Sequence, residues 1–258
     1  MKASGVKITI PKEEPCICGS GKIFSDCCMK KNHTYERFEI EGIDRKIIYD
    51  QTEVMDAVKS LLNFVEGRIT EENRHLTKEE ALRKLKKLYQ KLDLALKPIG
   101  RVTSCKAGCG HCCSLLVPTT KLEGDIIEEY IKNHYSEEEL QDFKEKINKN
   151  KDLLNSLVHV NDRFLENNYK AYAEAKLPCA FLDKDQRCTI YEARPFICRR
   201  YLVFNDPKVC ENTLNNTNQY YSKYLGTVKD AIVKLNKLVY DKECEYKHTL
   251  SWFSGNNK

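Results

Sequence analysis

Residues 105–113 read CKAGCGHCC, residues 178–201 read PCAFLDKDQRCTIYEARPFICRRY, and the text between and around them has helical spacing. Two cysteine-rich loops flanking a helical insert predict a mainly α fold with metal-binding loops. In the first loop three residues separate Cys105 from Cys109, two separate Cys109 from Cys112, and Cys113 is adjacent. Gly108 and Gly110 permit the tight backbone turns that let neighbouring thiolates converge. The second segment supplies Cys179, Cys188 and Cys198, and Cys210 follows with eleven residues between as an eighth ligand or a buried thiol. Seven or eight thiolates exceed one tetrahedral shell. They suit two zinc ions, or a [4Fe–4S] cluster on four with the remainder structural, and all-cysteine ligation is compatible with both.

Working outward, apolar residues recur at helical spacing. Thr52 is placed as the cap of a helix carrying Val54, Val58, Leu61, Leu62 and Val65, stopped by Gly67. Thr77 and Glu80 form a capping box before Leu82, Leu85, Leu88, Tyr89, Leu92 and Leu96, with Pro98 and Gly100 ending the run. Leu122, Ile126, Ile127, Tyr130 and Ile131 mark a third helix. Ser136 with Glu139 opens a fourth, bearing Leu140, Phe143 and Ile147. Helical spacing resumes over 155–176, and a last helix is predicted over 218–241. Strand-like text is confined to a weak hairpin over 36–50, turning at Glu41-Gly42, and to short pieces around DKDQ.

The N-terminal segment, residues 1–33, holds its own cysteine group. Cys16 and Cys18 are one residue apart, eight residues follow, and Cys27 and Cys28 are adjacent. Four thiolates complete a tetrahedral zinc shell, and the GSGK turn lets the backbone fold over the ion. With little apolar text, this piece is expected to be a zinc knuckle in which metal replaces a core, dispensable for folding of residues 34–258. His33 is a candidate substitute ligand or a surface histidine.

Composition bounds the remaining readings. The chain has 258 residues, a net charge of +5 and 13 cysteines. No window approaches the roughly 18 apolar residues of a membrane span, and the first residues have no secretory signal pattern. A cytoplasmic, reducing setting is therefore expected, where grouped thiols bind metal rather than form disulfides. The charge excess is too small to signal nucleic acid, and the basic run Arg83, Lys84, Lys86, Lys87 and Lys91 reads as a solvated helix face. Cys244 stands alone and reads as a plain thiol.

The run PCICGSGKIFSDCC resembles the SEC-C zinc module at the tail of the SecA translocation ATPase and in many bacterial proteins. That resemblance implies a structural zinc site that docks on a protein partner, with relatives associated with the SecB chaperone and the ribosome. Family members often carry His in the last position, where this chain has Cys28. The two longer segments together resemble the YkgJ-type cysteine-cluster (CxxCxxCC) family, a zinc- or iron-chelating domain. The resemblance covers about residues 100–212 and rests on Cys105, Cys109, Cys112, Cys113, Pro178-Cys179, Phe181-Leu182, Cys188, Ile190-Tyr191, Arg194-Pro195 and Cys198-Arg199.

Arg194, Arg199 and Arg200 lie beside these thiols. They are placed either to offset thiolate charge and hydrogen-bond carbonyls, or, with Arg194 and Arg199 as cofactor-binding residues, to grip a carboxylate or phosphate. Tyr191, Glu123 and His111 are candidate acid–base groups. The first three cysteines of CKAGCGHCC also match radical-SAM cluster spacing, but that fold needs repeated strand–helix units which this text lacks.

The leading reading is thus a cytoplasmic metal-binding protein with a SEC-C docking module. It has zinc in the knuckle, zinc or iron in the core, and no membrane or nucleic-acid partner. Two alternatives stay open. One is an iron–sulfur, S-adenosylmethionine-dependent protein-modifying enzyme, since flagellin lysine N-methylases have similar CxFLD and Cys-Arg segments. The other is a thiol redox sensor.

Overall fold

A computed structural model of the chain describes residues 6–150, 172, 177–212, 217–240 and 246–253. The helix expected over 155–176 lies outside them except for Tyr172, as does Cys244. The described residues are mainly α-helical and divide into two compact units. The first comprises Met1–Arg68, Lys87–Cys105 and Arg200–Val228. The second comprises Ile69–Lys86, Lys106–Arg199 and Lys229–Lys258.

In the first unit β1 (Val6–Ile8), β2 (Tyr35–Phe38) and β3 (Ile47–Asp50) form an antiparallel sheet in that order. The expected hairpin is β2–β3, registered Tyr35 against Asp50 and Phe38 against Ile47, with Gly42 at φ +77° in its loop. Phe38 stacks on Tyr49 with ring centroids 4.6 Å apart. Helix α1 (Gln51–Val65) begins one residue before the expected cap, because Asp50 accepts the backbone N–H of Glu53. Nor does Gly67 stop the chain, which runs through a π-type turn at Glu66–Thr70. Ile47, Tyr49, Val54, Ile99 and Phe204 form the core of this unit.

Helix α2 (Lys78–Gly100) follows the expected box: Glu80 N–H donates to Thr77 Oγ1, and Thr77 N–H to Glu80 Oε2. Its apolar stripe is buried at Ala81, Leu85, Leu88, Leu92 and Ile99. Its lysines face outward onto partners, Lys84 on Glu72 and Lys86 on Glu129, as a solvated face should.

In the second unit, α3 (Lys121–His134) and α4 (Glu137–Lys149) each open on a capping box, Thr120 with Glu123 and Ser136 with Glu139. The ribbon of β4 (Pro118–Thr119) and β5 (Lys247–His248) and a 3-10 turn at Thr249–Trp252 lie beside α3. Phe143, Phe181 and Phe253 form an aromatic cluster that ties α4 to the second cysteine segment. Two short helices escaped the sequence reading, α5 (Phe196–Arg200) and α6 (Pro207–Asn212). They are too short to show a period. Helix α7 (Lys223–Tyr240) is the predicted last helix, entered later than expected. No helix is long and apolar enough to cross a membrane among the described residues.

Candidate metal centres

The N-terminal group is built by turns. Cys16 N–H donates to Lys22 O at 2.8 Å and Gly19 N–H returns to Cys16 O, with Gly19 and Gly21 both at positive φ. A second turn brings Cys27 N–H to Phe24 O at 3.1 Å, and a 3-10 turn starts at Cys28. The sulfurs of Cys16, Cys18, Cys27 and Cys28 consequently all lie within 4.8 Å of one another, the one such group among the described residues. Cys18 Sγ is 3.5 Å from Cys27 Sγ, and Cys27 Sγ 4.0 Å from Cys28 Sγ. A tetrahedron with ~2.3 Å zinc–sulfur bonds has edges of ~3.8 Å, so the donor set fits zinc.

Electrostatics in this group pull in opposite directions. Hydrogen bonding from Ser20 lowers Cys18 to about 6, whereas burial and then the neighbouring Cys16 and Cys18 push Cys28 well up. Crowded thiols resist joint ionisation, and a divalent cation removes that penalty. The knuckle also has apolar support: Ile10, Phe24 and Tyr35 are buried with Cys16 and Cys28. Phe24 meets Tyr35 edge to face at 5.3 Å, and β1 pairs with β2. Metal is therefore not its sole core. His33 Nδ1 lies 2.7 Å from Asp50 Oδ2, engaged with a helix cap outside the sulfur group.

The second unit assembles the remaining cysteine loops through its backbone. Cys179 N–H donates to Cys113 O at 2.9 Å, joining the two cysteine segments directly. The DKDQ turn is a tight reversal in which Leu182 bridges Cys188 and Asp183 Oδ1 accepts the N–H groups of Asp185 and Arg187. The first loop lies on this turn so closely that a Cβ at Gly110 would stand 2.7 Å from Gln186 Oε1. Helix α5 then delivers Cys198. Its first residue, Phe196, donates its N–H to Glu123 Oε1 at 3.0 Å.

Cys179, Cys188 and Cys198 each feel the thiol of Cys112. Burial leads in raising Cys179, to about 12, and in raising Cys188 and Cys198, and in each case others of these four thiols add to the rise. Cys112 is raised foremost by its hydrogen bond with Cys113. Arg194 opposes the rise at Cys112, Cys188 and Cys198. Among the described residues, no three of these sulfurs all lie within 4.8 Å of one another. As donors, these four half-buried soft thiols suit zinc or iron alike.

The other expected ligands have different surroundings. Cys109 is half-buried, its N–H on Lys106 O. Cys105 and Cys210 fall in the first unit, where Cys105 Sγ accepts Val203 N–H at 3.3 Å and Cys210 is buried on α6. Among the arginines, Arg199 is 2 % exposed and donates to the carbonyls of Arg194 and Glu192, so the carbonyl-bonding role is its own. Glu123 is buried and holds backbone on both oxygens, Thr120 and Phe196, which makes it an anchor rather than a proton carrier. Tyr191 is exposed and lies under Arg194.

Comparison with protein families gives two matches. Residues 104–223 match the CxxCxxCC family, described as "Putative zinc- or iron-chelating domain", and residues 14–30 match the SEC-C motif. Curated proteins and solved structures yield no match. The two family matches and the four-sulfur group support a metal-binding protein.

Proposed function

We propose that this chain, a SEC-C motif followed by a CxxCxxCC domain, is a two-site metal-binding protein. Cys16, Cys18, Cys27 and Cys28 hold one zinc, and Cys112, Cys179, Cys188 and Cys198 hold zinc or iron. The observation that carries the reading is the N-terminal sulfur group, all within 4.8 Å of one another. A bound metal would supply a divalent charge that ties neighbouring turns together in the knuckle and loops remote in sequence in the second unit, and the chain's thiols would give up protons to receive it. The SEC-C motif serves as a docking element for a protein partner of the ribosome or export machinery in the cytoplasm. Exposed Ile23 and Met29 among Lys22, Lys30 and Lys31 suit a partner surface that is both apolar and acidic.

Elemental analysis of anaerobically purified full-length protein tests the reading. Two equivalents are expected, one of them zinc, and colour distinguishes iron from zinc at the other. Cys16→Ser with Cys18→Ser should remove one equivalent. Cys188→Ser with Cys198→Ser should remove the other, each single change acting nearly as strongly as the pair. Full metal content in either double variant overturns the assignment of that site.

A further inference from the structure

The four knuckle thiols are unevenly covered. Cys16 and Cys28 are buried with Ile10, Phe24 and Tyr35, while Cys18 and Cys27 are half-buried and lie 3.5 Å apart, sulfur to sulfur. The turn at residues 19–21 reaches this outer pair. Gly19 and Gly21 have positive φ, +76° and +75°, yet a Cβ at either would meet nothing within 4 Å. Glycine is needed there for backbone conformation and not for space. That conformation places Ser20, whose Oγ accepts the Lys22 N–H at 3.3 Å and lies 3.3 Å from Cys27 Sγ. A serine hydroxyl has one proton to donate. With the Lys22 N–H on an oxygen lone pair, that proton is left for sulfur. A metal-bound thiolate has no proton of its own and can only accept it.

Resting on the reading of the knuckle as a zinc site, we infer that Ser20 is a hydrogen-bonding latch on the outer Cys18–Cys27 edge of the shell, and that metal leaves the knuckle by that edge. Four thiolates on one divalent ion leave the shell with excess negative charge. A hydroxyl donated to one of them draws charge off the sulfur and makes it a poorer target for protons and electrophiles. The inner pair is shielded differently, by packed side chains that keep proton donors and competing chelators away. Ser20 acts through Cys27 and is a positioning residue. It is itself exposed, so removing its hydroxyl leaves the packing of the knuckle intact.

The test follows metal transfer from the full-length, Zn(II)-loaded chain to a chromophoric chelator. In parallel, the loaded chain is alkylated with iodoacetamide and the modified thiols are mapped by mass spectrometry. The release phase missing from Cys16→Ser with Cys18→Ser belongs to the knuckle. Ser20→Ala should speed that phase by about 3–10-fold and leave any other phase unchanged. Alkylation should begin at Cys18 and Cys27, ahead of Cys16 and Cys28, and should be faster in the Ala variant. In the Co(II)-loaded chain, Ser20→Ala should move the knuckle's sulfur-to-metal charge-transfer band to lower energy, because a thiolate without its donor gives up charge more easily. Ser20→Thr keeps the hydroxyl and should behave as the parent. A Ser20→Ala chain with the release rate and cobalt spectrum of the parent overturns the latch, and alkylation that begins at Cys16 or Cys28 overturns the exit edge. Should the Cys16/Cys18 variant retain every metal equivalent, the knuckle reading itself fails and the inference falls with it.

Discussion

Glu123 in α3 accepts the backbone N–H of Phe196, 73 positions later, with its Oε1 at 3.0 Å. Its other oxygen accepts the Thr120 N–H at the cap of its own helix. One buried carboxylate therefore caps α3 and suspends the short helix that presents Cys198 and Arg199. A five-residue helix cannot sustain itself, so this anchor sets where Cys198 stands.

Replacing Glu123 with Gln should destabilise the chain by about 1–3 kcal/mol, through a buried hydrogen bond lost or weakened. Ala should cost more, because it leaves the Phe196 and Thr120 N–H groups without an acceptor. Denaturant midpoints give the loss, and metal titration should show the second-unit step weakened in parallel. An unchanged midpoint for Ala would show that the carboxylate is not the anchor.

Gly124 lies against Trp252, and a Cβ there would stand 2.9 Å from the indole Cγ. Trp252 also donates its Nε1–H to Thr119 Oγ1 at 3.0 Å, so the ring has little room to yield. Gly124→Ala should cost about 1–3 kcal/mol by overpacking, despite the better helix propensity of alanine. Trp252 is the chain's single tryptophan, and its fluorescence reports the displacement directly. A stabilised variant with unchanged emission would contradict the contact.

His248 is buried on β5 against the Tyr172 ring, and burial lowers its pKa from 6.5 to about 4. Its Nδ1 accepts the N–H of Leu250, which requires the neutral form. The unfolded chain takes up this proton at higher pH than the folded one. Stability is therefore full above about pH 6.5 and falls as the pH drops towards 4, by a total on the order of 3 kcal/mol. His248→Gln should flatten the decline in that window, measured by urea unfolding at stepped pH. An equally steep decline would assign it to other groups.

Deleting residues 1–33 removes β1 and the Phe24 ring that covers Tyr35, so the sheet of the first unit should loosen. Amide exchange in Tyr35–Phe38 and Ile47–Asp50 should accelerate and the melting temperature should fall by a few degrees. Chelating the knuckle metal in the intact chain should have a smaller effect, because Ile10, Phe24 and Tyr35 remain packed. Unchanged exchange after the deletion would restore the knuckle to a dispensable appendage.

The sequence by itself determined the elements whose cause is local. Two of the three capping boxes, Thr77 with Glu80 and Ser136 with Glu139, were legible as helix starts because side chain and backbone satisfy each other within four residues. The N-terminal sulfur group was legible for the same reason: its turns need only glycines and near-neighbour hydrogen bonds. Tertiary structure alone decided which of the later cysteines interact. Spacing treats Cys105 and Cys112 alike, yet Cys105 meets Val203 N–H while Cys112 acts on Cys179, Cys188 and Cys198. It likewise separated Arg194 from Arg199, identical in type and five positions apart, by what each guanidinium faces. A ligand set assembled from remote loops depends on contacts such as Cys179 to Cys113 and Glu123 to Phe196, which exist only once helices have packed and leave no period in the text.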